Sequence, residues 1–367
     1  VVLPAGDAIR RPPLSFGKTR AYKSYKMKGR TRMSTIKPVR IGIVSTANIA
    51  RQHVIPGFRT TPWLEVAAIA SRNADTARAA AAALGIPVAH GSYEALFADP
   101  SIEAVYIPTP NDSHVDLTLA AARAGKHVLC EKPAAMNASD AERLSALPDG
   151  IVYLEAFMVR HHPQWLKARE LVRSGAIGRV TAVQCFFSYF LDDPANIRNR
   201  PENGGGGLWD IGVYPIVTAR FVLDAEPKRV SGLLEIDPKF GTDVLSSAIL
   251  DFGDGRHLTF TVATQTVPHQ RVTIAGTTGR IEVVIPFNAP SMQETVIRLD
   301  RGAALGDAEI EEIRLPASDQ YGLQGEAFAK AIRGIEPLPY DQRDAVKMMR
   351  ILDAIVESGK TGRWVDL

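Results

Sequence analysis

From Val39 onward the chain alternates short apolar runs with amphipathic stretches. Val39-Arg40-Ile41-Gly42-Ile43-Val44 reads as a strand, with a helix from about Asn48. Leu64-Glu65-Val66-Ala67-Ala68-Ile69-Ala70 is a second strand, and an alanine-rich helix over 75–84 ends at Gly85. Ala104-Val105-Tyr106-Ile107-Pro108 is another strand, followed by a helix over 113–124 with Gly125 as its stop. The run His127-Val128-Leu129-Cys130 then leads into Glu131-Lys132-Pro133. This alternation predicts a parallel sheet with right-handed crossovers.

After about residue 150 the period changes. Residues 180–187, 248–252 and 257–262 read as strands, the last two joined by the turn Gly253-Asp254-Gly255. Residues 271–275 and 280–284 continue the pattern across 276–279, while 323–334 and 341–358 read as closing helices. The expected fold class is α/β, in two domains. A Rossmann domain with a parallel sheet would span 38–155. An α/β domain with an open, mainly antiparallel sheet would span 156–367, its last helices packing back on the first domain. Residues 1–37 stand apart as a basic arm, with ten Lys or Arg against one acid, Asp7.

Composition narrows the function classes. The chain is 46% hydrophobic and 23% charged, a globular mix, and no apolar run approaches the roughly 18 residues of a membrane span. A net charge of +3 is too small to point to nucleic acid, and the basic arm comes with no recognition fold. Cys130 and Cys185 sit in apolar strand runs and read as buried thiols in a reducing, cytoplasmic setting. A periplasmic setting is the alternative if an export signal precedes Val1. Arg10-Arg11-Pro12-Pro13 lacks the apolar segment such a signal needs. No metal-ligand spacing is present. An uncovered sheet face predicts a homodimer or homotetramer.

Ser45-Thr46-Ala47-Asn48-Ile49-Ala50 occupies the turn where a dinucleotide fingerprint places G-x-G-x-x-G/A. Only Ala50 conforms, but Ser45 and Ala47 are small enough for pyrophosphate to approach the backbone at the helix start. A tight turn without a ligand is the other reading. After the second strand, Ser71-Arg72-Asn73 stands where a carboxylate would grip the ribose 2′-hydroxyl of NAD. Ser71 can donate to a 2′-phosphate and Arg72 can pair with it, which favours NADP. The alternative for Arg72 is a solvated loop charge. Pro108-Thr109-Pro110-Asn111-Asp112-Ser113-His114 faces the nicotinamide half. Thr109, Pro110, Asn111 and His114 are therefore candidate cofactor residues, with first-turn packing as the other role for His114. Lys132 lies at the carboxyl end of a buried strand, where such sheets hold ligands, and Pro133 stops the strand.

Gly204-Gly205-Gly206-Gly207-Leu208-Trp209-Asp210-Ile211-Gly212-Val213-Tyr214 is the other concentrated signal. The glycines leave backbone unshielded before an apolar helix, and Asp210 and Tyr214 share a helix face. They are either a capping carboxylate and a core phenol, or a catalytic pair.

With these residues in hand, the chain resembles the Gfo/Idh/MocA family of pyridine-nucleotide oxidoreductases. The segments that carry the resemblance are 41–50, 110–114, Glu131-Lys132-Pro133, Glu155-Ala156-Phe157-Met158 with His162-Pro163, and 204–214. They fall in family order over about 38–360. Within the family the chain is similar to the glucose–fructose and aldose–aldose oxidoreductases, xylose dehydrogenases and dihydrodiol dehydrogenases, which carry tyrosine where many members carry histidine. The resemblance implies that Tyr214 takes the proton from an anomeric hydroxyl while Lys132 holds the same oxygen. The ammonium is expected to lower the phenol from its ordinary value near 10. Asp210 would orient sugar hydroxyls, and Glu131 would position the lysine loop and border the cofactor. His162 would line the sugar pocket, or pack in the turn beside Pro163. Tyr153, Phe186, Phe187, Tyr189 and Phe190 offer either a pyranose platform or ordinary sheet core.

The expected activity is NADP-dependent oxidation of aldoses at C1 to aldonolactones. The arm would help bury an NADP(H) that a second sugar reoxidises, yielding an alditol. A freely exchanging D-xylose or trans-dihydrodiol dehydrogenase, and a non-catalytic nucleotide-binding sensor, are the alternatives.

Overall fold

The computed structural model describes residues 37–302 and 310–367. The expected basic arm, Lys37 apart, lies outside the described residues. The first sheet contains β1 (Val39–Val44), β2 (Leu64–Ala70), β3 (Val88–His90), β4 (Ala104–Ile107), β5 (His127–Cys130) and β6 (Tyr153–Glu155). All its neighbours pair in parallel, in the order β3-β2-β1-β4-β5-β6. That is the doubly wound arrangement, whose ligands sit beyond the strands' carboxyl ends.

Apart from Arg40, Glu65 and residues at strand ends, these strands are apolar because both faces are covered. Ile41, Ile43, Ile69, Tyr106 and Leu129 pack on one side with Phe58 of α1 (Ile55–Phe58) and Phe328 of α8 (Gln320–Ile332). Ala68, Val105, Ile107 and Val128 pack on the other with Leu96 of α3 (Tyr93–Ala98) and Leu119 of α4 (His114–Arg123). The alanine-rich helix is α2 (Ala74–Leu84), with Asn73 accepting from its first amides and Gly85 in the left-handed region at its end. Alanines suit it because only one stripe, Ala77, Ala80 and Ala81, must approach the sheet.

The second sheet contains β7 (Val180–Phe190), β8 (Arg229–Ile236), β9 (Asp243–Gly253), β10 (Arg256–Ala263) and β11 (Gln265–Gly276). It is completed by β12 (Arg280–Val283), β13 (Thr295–Asp300), β14 (Glu311–Leu315) and β15 (Val365–Asp366). The order is β14-β13-β12-β11-β7-β10-β9-β8-β15. Every pairing is antiparallel except β10 with β7, so the sheet is mixed rather than wholly antiparallel. Its strands alternate because only one face is covered. Ala248, Leu250, Phe252, Leu258, Phe260 and Val262 are buried beneath α6 (Pro163–Arg173), α7 (Val213–Leu223) and α9 (Gln342–Thr361). Leu233, Leu245 and Ile249 stay exposed on the opposite face. A short helix α5 (Ala138–Glu142) packs on α9, which thereby touches elements of both sheets.

A buried ion network locks α7 and α9 to the turn Met158–His161 that follows β6. Asp344 of α9 accepts from Arg160 Nη1 at 2.7 Å and from Arg220 Nη2 at 2.6 Å. Arg220 Nε also donates to Glu226 Oε2 at 2.6 Å, and the Arg160 guanidinium lies 3.7 Å from the centroid of Tyr340. Both arginine side chains are only 4% exposed. Removing their shared anion strands two buried cations. Asp344→Ala is therefore expected to lower unfolding stability by about 3–5 kcal/mol in urea titrations. A loss under about 1 kcal/mol would show the network to be dispensable.

Candidate active site

A cleft of about 1690 Å³ opens at the carboxyl ends of β1, β2, β4 and β5 and runs under the second sheet's Phe187 and Tyr189. It exceeds the roughly 300–1,000 Å³ of a single small-ligand pocket, leaving room for a dinucleotide and a sugar together. Ser45, Thr46, Ala47, Asn48 and Ile49 line one end. The chain leaves β1 at Ser45, whose φ of +109° is a backbone setting that favours glycine. Ser45 thus adopts the geometry of the fingerprint's first glycine while its Oγ accepts from Ala47 N at 3.3 Å. The helical stretch beyond contains a π-turn, Ala50–Val54, before α1. The start of a helix leaves amides without intrahelical partners, so a helix start at residues that line the cleft suits an anion.

Ser71 and Arg72 line the same end, and Arg72 is exposed with no ion pair among the described residues. No carboxylate occupies 71–73, because Asn73 is used to cap α2. A cationic, carboxylate-free edge suits a ribose 2′-phosphate. Thr109, Pro110, Asn111 and His114 line the middle. His114 is fully buried, with Nδ1 at 2.8 Å from the Pro133 carbonyl and Nε2 at 2.8 Å from that of Thr109. Burial lowers its pKa, although both carbonyls favour the proton. It ties the lysine turn to the Thr109 loop, the packing role the sequence left open.

Lys132 follows β5, and its bond to Pro133 is cis. Behind it, Glu131 Oε1 accepts from Tyr106 Oη at 2.7 Å and Oε2 from Lys132 N at 3.2 Å. Burial raises the Glu131 pKa against the pull of Lys132. Lys132 Nζ donates to the Asp210 carbonyl at 2.6 Å and to Asp210 Oδ1 at 3.3 Å. Asp210 Oδ2 accepts from Tyr189 Oη at 2.6 Å and pairs with Arg198 Nε at 3.0 Å. Burial alone would raise this carboxyl. Arg198, then Lys132, then the Tyr189 hydroxyl overcome that and hold it well below the usual carboxylate range.

Tyr189 and Arg198 occupy Asp210 Oδ2, and Lys132 is the one side chain on Oδ1 among the described residues, so the carboxylate orients these three side chains and keeps acceptor capacity on Oδ1. One expectation about this end needs correction. The Lys132 ammonium stands 4.9 Å from the centroid of the Tyr214 ring, over its face, with its hydrogen bonds directed at Asp210. The phenol is pushed well above its ordinary value by burial, then by Glu131 and Asp210, with Arg198 opposing. Its hydroxyl contacts Met158 Sδ at 3.7 Å. At neutral pH Tyr214 is thus a proton donor, not a lowered phenolate.

Of its two expected roles, His162 takes the one beside Pro163. It is fully buried away from the cleft wall, and its Nδ1 accepts from Gln164 N at 3.2 Å to cap α6. Pro163 at the helix start fixes that role. The glycine run is likewise a packing device more than an open cradle. A Cβ on Gly205 would lie 2.5 Å from the Arg198 carbonyl oxygen. Gly206 has φ +116°, and a Cβ there would meet Asp243 Oδ1 at 2.0 Å. Asp243 Oδ2 instead accepts from Leu208 N at 2.7 Å, capping the π-turn Leu208–Gly212 that carries Asp210 into α7. Of the aromatic candidates, Phe187 and Tyr189 face the cleft, Tyr153 is core, and Phe186 and Phe190 are exposed.

Arg198 and Tyr321, both on the cleft wall, had no signal in the sequence. Arg198 sits in an aperiodic polar loop fixed by distant bonds, Asn111 Nδ2 to the Gly204 carbonyl at 2.9 Å and Asn203 Nδ2 to Asp112 Oδ1 at 3.3 Å. Glu155 entered only as part of the resemblance. Its Oε1 accepts from Ala134 N at 2.9 Å, beside the lysine turn. Burial, with Asp344 adding to it, pushes this carboxyl up to about 7. Because the folded value lies above the ordinary 4.5, its proton stabilises the fold fully below pH 4.5 and that stabilisation is lost as pH rises towards 7. The loss amounts to about 3 kcal/mol. Glu155→Gln is expected to flatten the stability–pH curve across this window and to be the more stable form at pH 8. Identical curves for both proteins would place the titration elsewhere.

Comparison with known proteins agrees with this geometry. Residues 39–149 match the family model described as an oxidoreductase family with an NAD-binding Rossmann fold, and 165–282 match the GFO/IDH/MocA C-terminal domain. An uncharacterized oxidoreductase of Rhizobium meliloti is 46% identical over 89% of this chain and 98% of its own length. The D-xylose 1-dehydrogenase (NADP(+)) 2 of Haloferax volcanii is 37% identical over 89% of this chain and 99% of its own. A 3-ketoreductase from Actinomadura kijaniata, solved with NADP and TDP-benzene, superposes with a TM-score of 0.81 at 31% identity, covering 88% of this chain and 98% of that one. An aldose-aldose oxidoreductase from Caulobacter crescentus, solved with glycerol, gives 0.81 at 27% identity, covering 90% and 100%. The cleft, the two sheets and both family models together establish that the chain belongs to the Gfo/Idh/MocA family of oxidoreductases.

Proposed function

We propose that the protein is an NADP-dependent dehydrogenase that oxidises an aldose at C1 to its aldonolactone. The observation that carries this reading is a single cavity with Arg72 at one end and Lys132, Asp210 and Tyr214 at the other. Bound NADP supplies the hydride acceptor, and its reduced form the donor, at nicotinamide C4. Ser71 and Arg72 hold the 2′-phosphate, the turn over 45–49 takes the pyrophosphate, and the Thr109 loop borders the nicotinamide. The sugar C1 hydroxyl gives its proton to the phenolate form of Tyr214 as hydride leaves C1, and Lys132 stabilises the charge developing on that oxygen, so oxidation quickens as pH rises. In the reverse direction the neutral phenol returns the proton. Full-length similarity to a D-xylose 1-dehydrogenase supports a pentose or related aldose and an exchanging cofactor. Structural similarity to an aldose-aldose oxidoreductase supports a second reading, in which NADP(H) stays bound and a second sugar reoxidises it.

The experiment is a nucleotide assay of the purified protein followed by steady-state rates over an aldose panel. NADP is expected to be preferred over NAD at least tenfold, and Tyr214→Phe to lose about 10²-fold or more in kcat/KM. Turnover without added nucleotide selects the recycling reading, and strict dependence on added NADP selects exchange. A preference for NAD, or a fully active Tyr214→Phe, would refute the assignment.

The reading includes a homo-oligomer built on the uncovered sheet face, where Leu233, Ile249 and Phe186 are 72%, 43% and 36% exposed around a shallow groove. In sedimentation experiments, Leu233→Glu combined with Ile249→Glu is expected to reduce the assembly to smaller species. An unchanged sedimentation coefficient would move the interface elsewhere.

A further inference from the structure

Arg198 has more hydrogen-bonding capacity than its pairing with Asp210 uses. It lies in the short helical turn Ile197–Asn199, where its own amide donates to Asn196 Oδ1 at 3.1 Å. Its carbonyl is held by Gly206 N at 2.9 Å, so the loop is keyed to the start of the helix that carries Asp210. The side chain uses Nε for Asp210 Oδ2. Nη1 and Nη2 have no partner among the described residues, and the side chain is 43% exposed on the cleft wall. A guanidinium anchored through Nε keeps a rigid, planar pair of N–H groups for something else. The same carboxylate holds Lys132 through its other oxygen, so this fork is fixed beside the reacting end.

Asp210 Oδ2 is filled by Tyr189 and Arg198, its Oδ1 faces Lys132, and Tyr189 is committed to Asp210. A sugar site still needs groups that recognise oxygens next to the reacting carbon. Resting on the aldose-dehydrogenase reading above, we propose that Arg198 is the specificity-determining residue of this site, gripping two neighbouring oxygens of the sugar through Nη1 and Nη2. The chemistry it selects is a pair of acceptor oxygens at fork spacing, which a vicinal diol or a carboxylate substituent can supply. Lysine cannot replace it, because an ammonium supplies charge without the fork. Arg198 also opposes the burial that raises Tyr214, so its charge and its fork have separable effects.

The test compares wild type with Arg198→Lys and Arg198→Met, using NADP, an active aldose, its 2-deoxy analogue and the corresponding uronic acid. Arg198→Lys keeps a cation beside Asp210 and guards against a folding defect, which thermal melting checks directly. Both variants are expected to raise the sugar KM about 10- to 100-fold, as loss of charged hydrogen bonds implies. The KM for NADP should stay within about twofold of wild type. Wild type should discriminate between the aldose and at least one of the two analogues, and the variants should lose that discrimination. Loss on the 2-deoxy arm identifies a diol and loss on the uronic arm a carboxylate. Arg198→Met, but not Arg198→Lys, should shift the rise of kcat/KM with pH to higher pH. Unaltered sugar KM and unaltered discrimination in both variants, beside an active wild type, would overturn this inference and leave the dehydrogenase reading intact. A wild type inactive with every aldose overturns that reading and this inference with it.

Discussion

One buried carboxylate organises the reacting end of the cleft. Asp210 accepts from Lys132 and Tyr189 and pairs with Arg198, side chains delivered by the first sheet, the second sheet and an irregular loop. An anion in so apolar a place persists only because its partners satisfy it. The dependence runs both ways, since Lys132 and Arg198 face the same cavity and would repel each other without the charge between them. The sequence places Asp210 at a helix start, and the π-turn there adds one residue to the winding. Its carboxylate therefore reaches Lys132 while Tyr214 offers the ammonium its ring face.

Behind this cluster, a layer of buried polar groups fixes the lysine turn rather than the substrate. His114 holds the Pro133 carbonyl, Glu155 the Ala134 amide and Glu131 the Lys132 amide. None of these bonds reaches a reacting atom, yet together they immobilise the backbone on either side of Lys132. Such support is what lets a long, flexible side chain act from a defined place. It also explains why buried ionisable groups gather at the ends of β5 and β6, where the turn must be held without water.

Much of this was legible in the sequence. The continuous apolar strands, their Gly-terminated helices and the alternating second half specify the two sheets, because burial on two faces or on one leaves different periodicities. The parallel pairing of β10 with β7 was not legible, since hairpin signals report only neighbours in sequence. The cleft residues Ser45, Ser71, Thr109 and Lys132 were identifiable because they follow strand ends in order. The sugar side was harder. Arg198 and Tyr321 come from segments with no periodic signal and arrive by long-range contacts. His162 resembled a pocket residue only through its neighbours, and Pro163 marked its capping role. The direction of the Tyr214 shift depends on how deeply the ring is buried and on which atom the ammonium faces, neither of which spacing encodes.

The amide of Asn111 joins the Thr109 loop of the first sheet to the Gly204 carbonyl in the loop that carries Arg198. That bond spans the cleft from its nicotinamide margin to its sugar margin. Anything that shifts one margin must strain or break it, so a single neutral side chain keeps the two walls of the cleft in register.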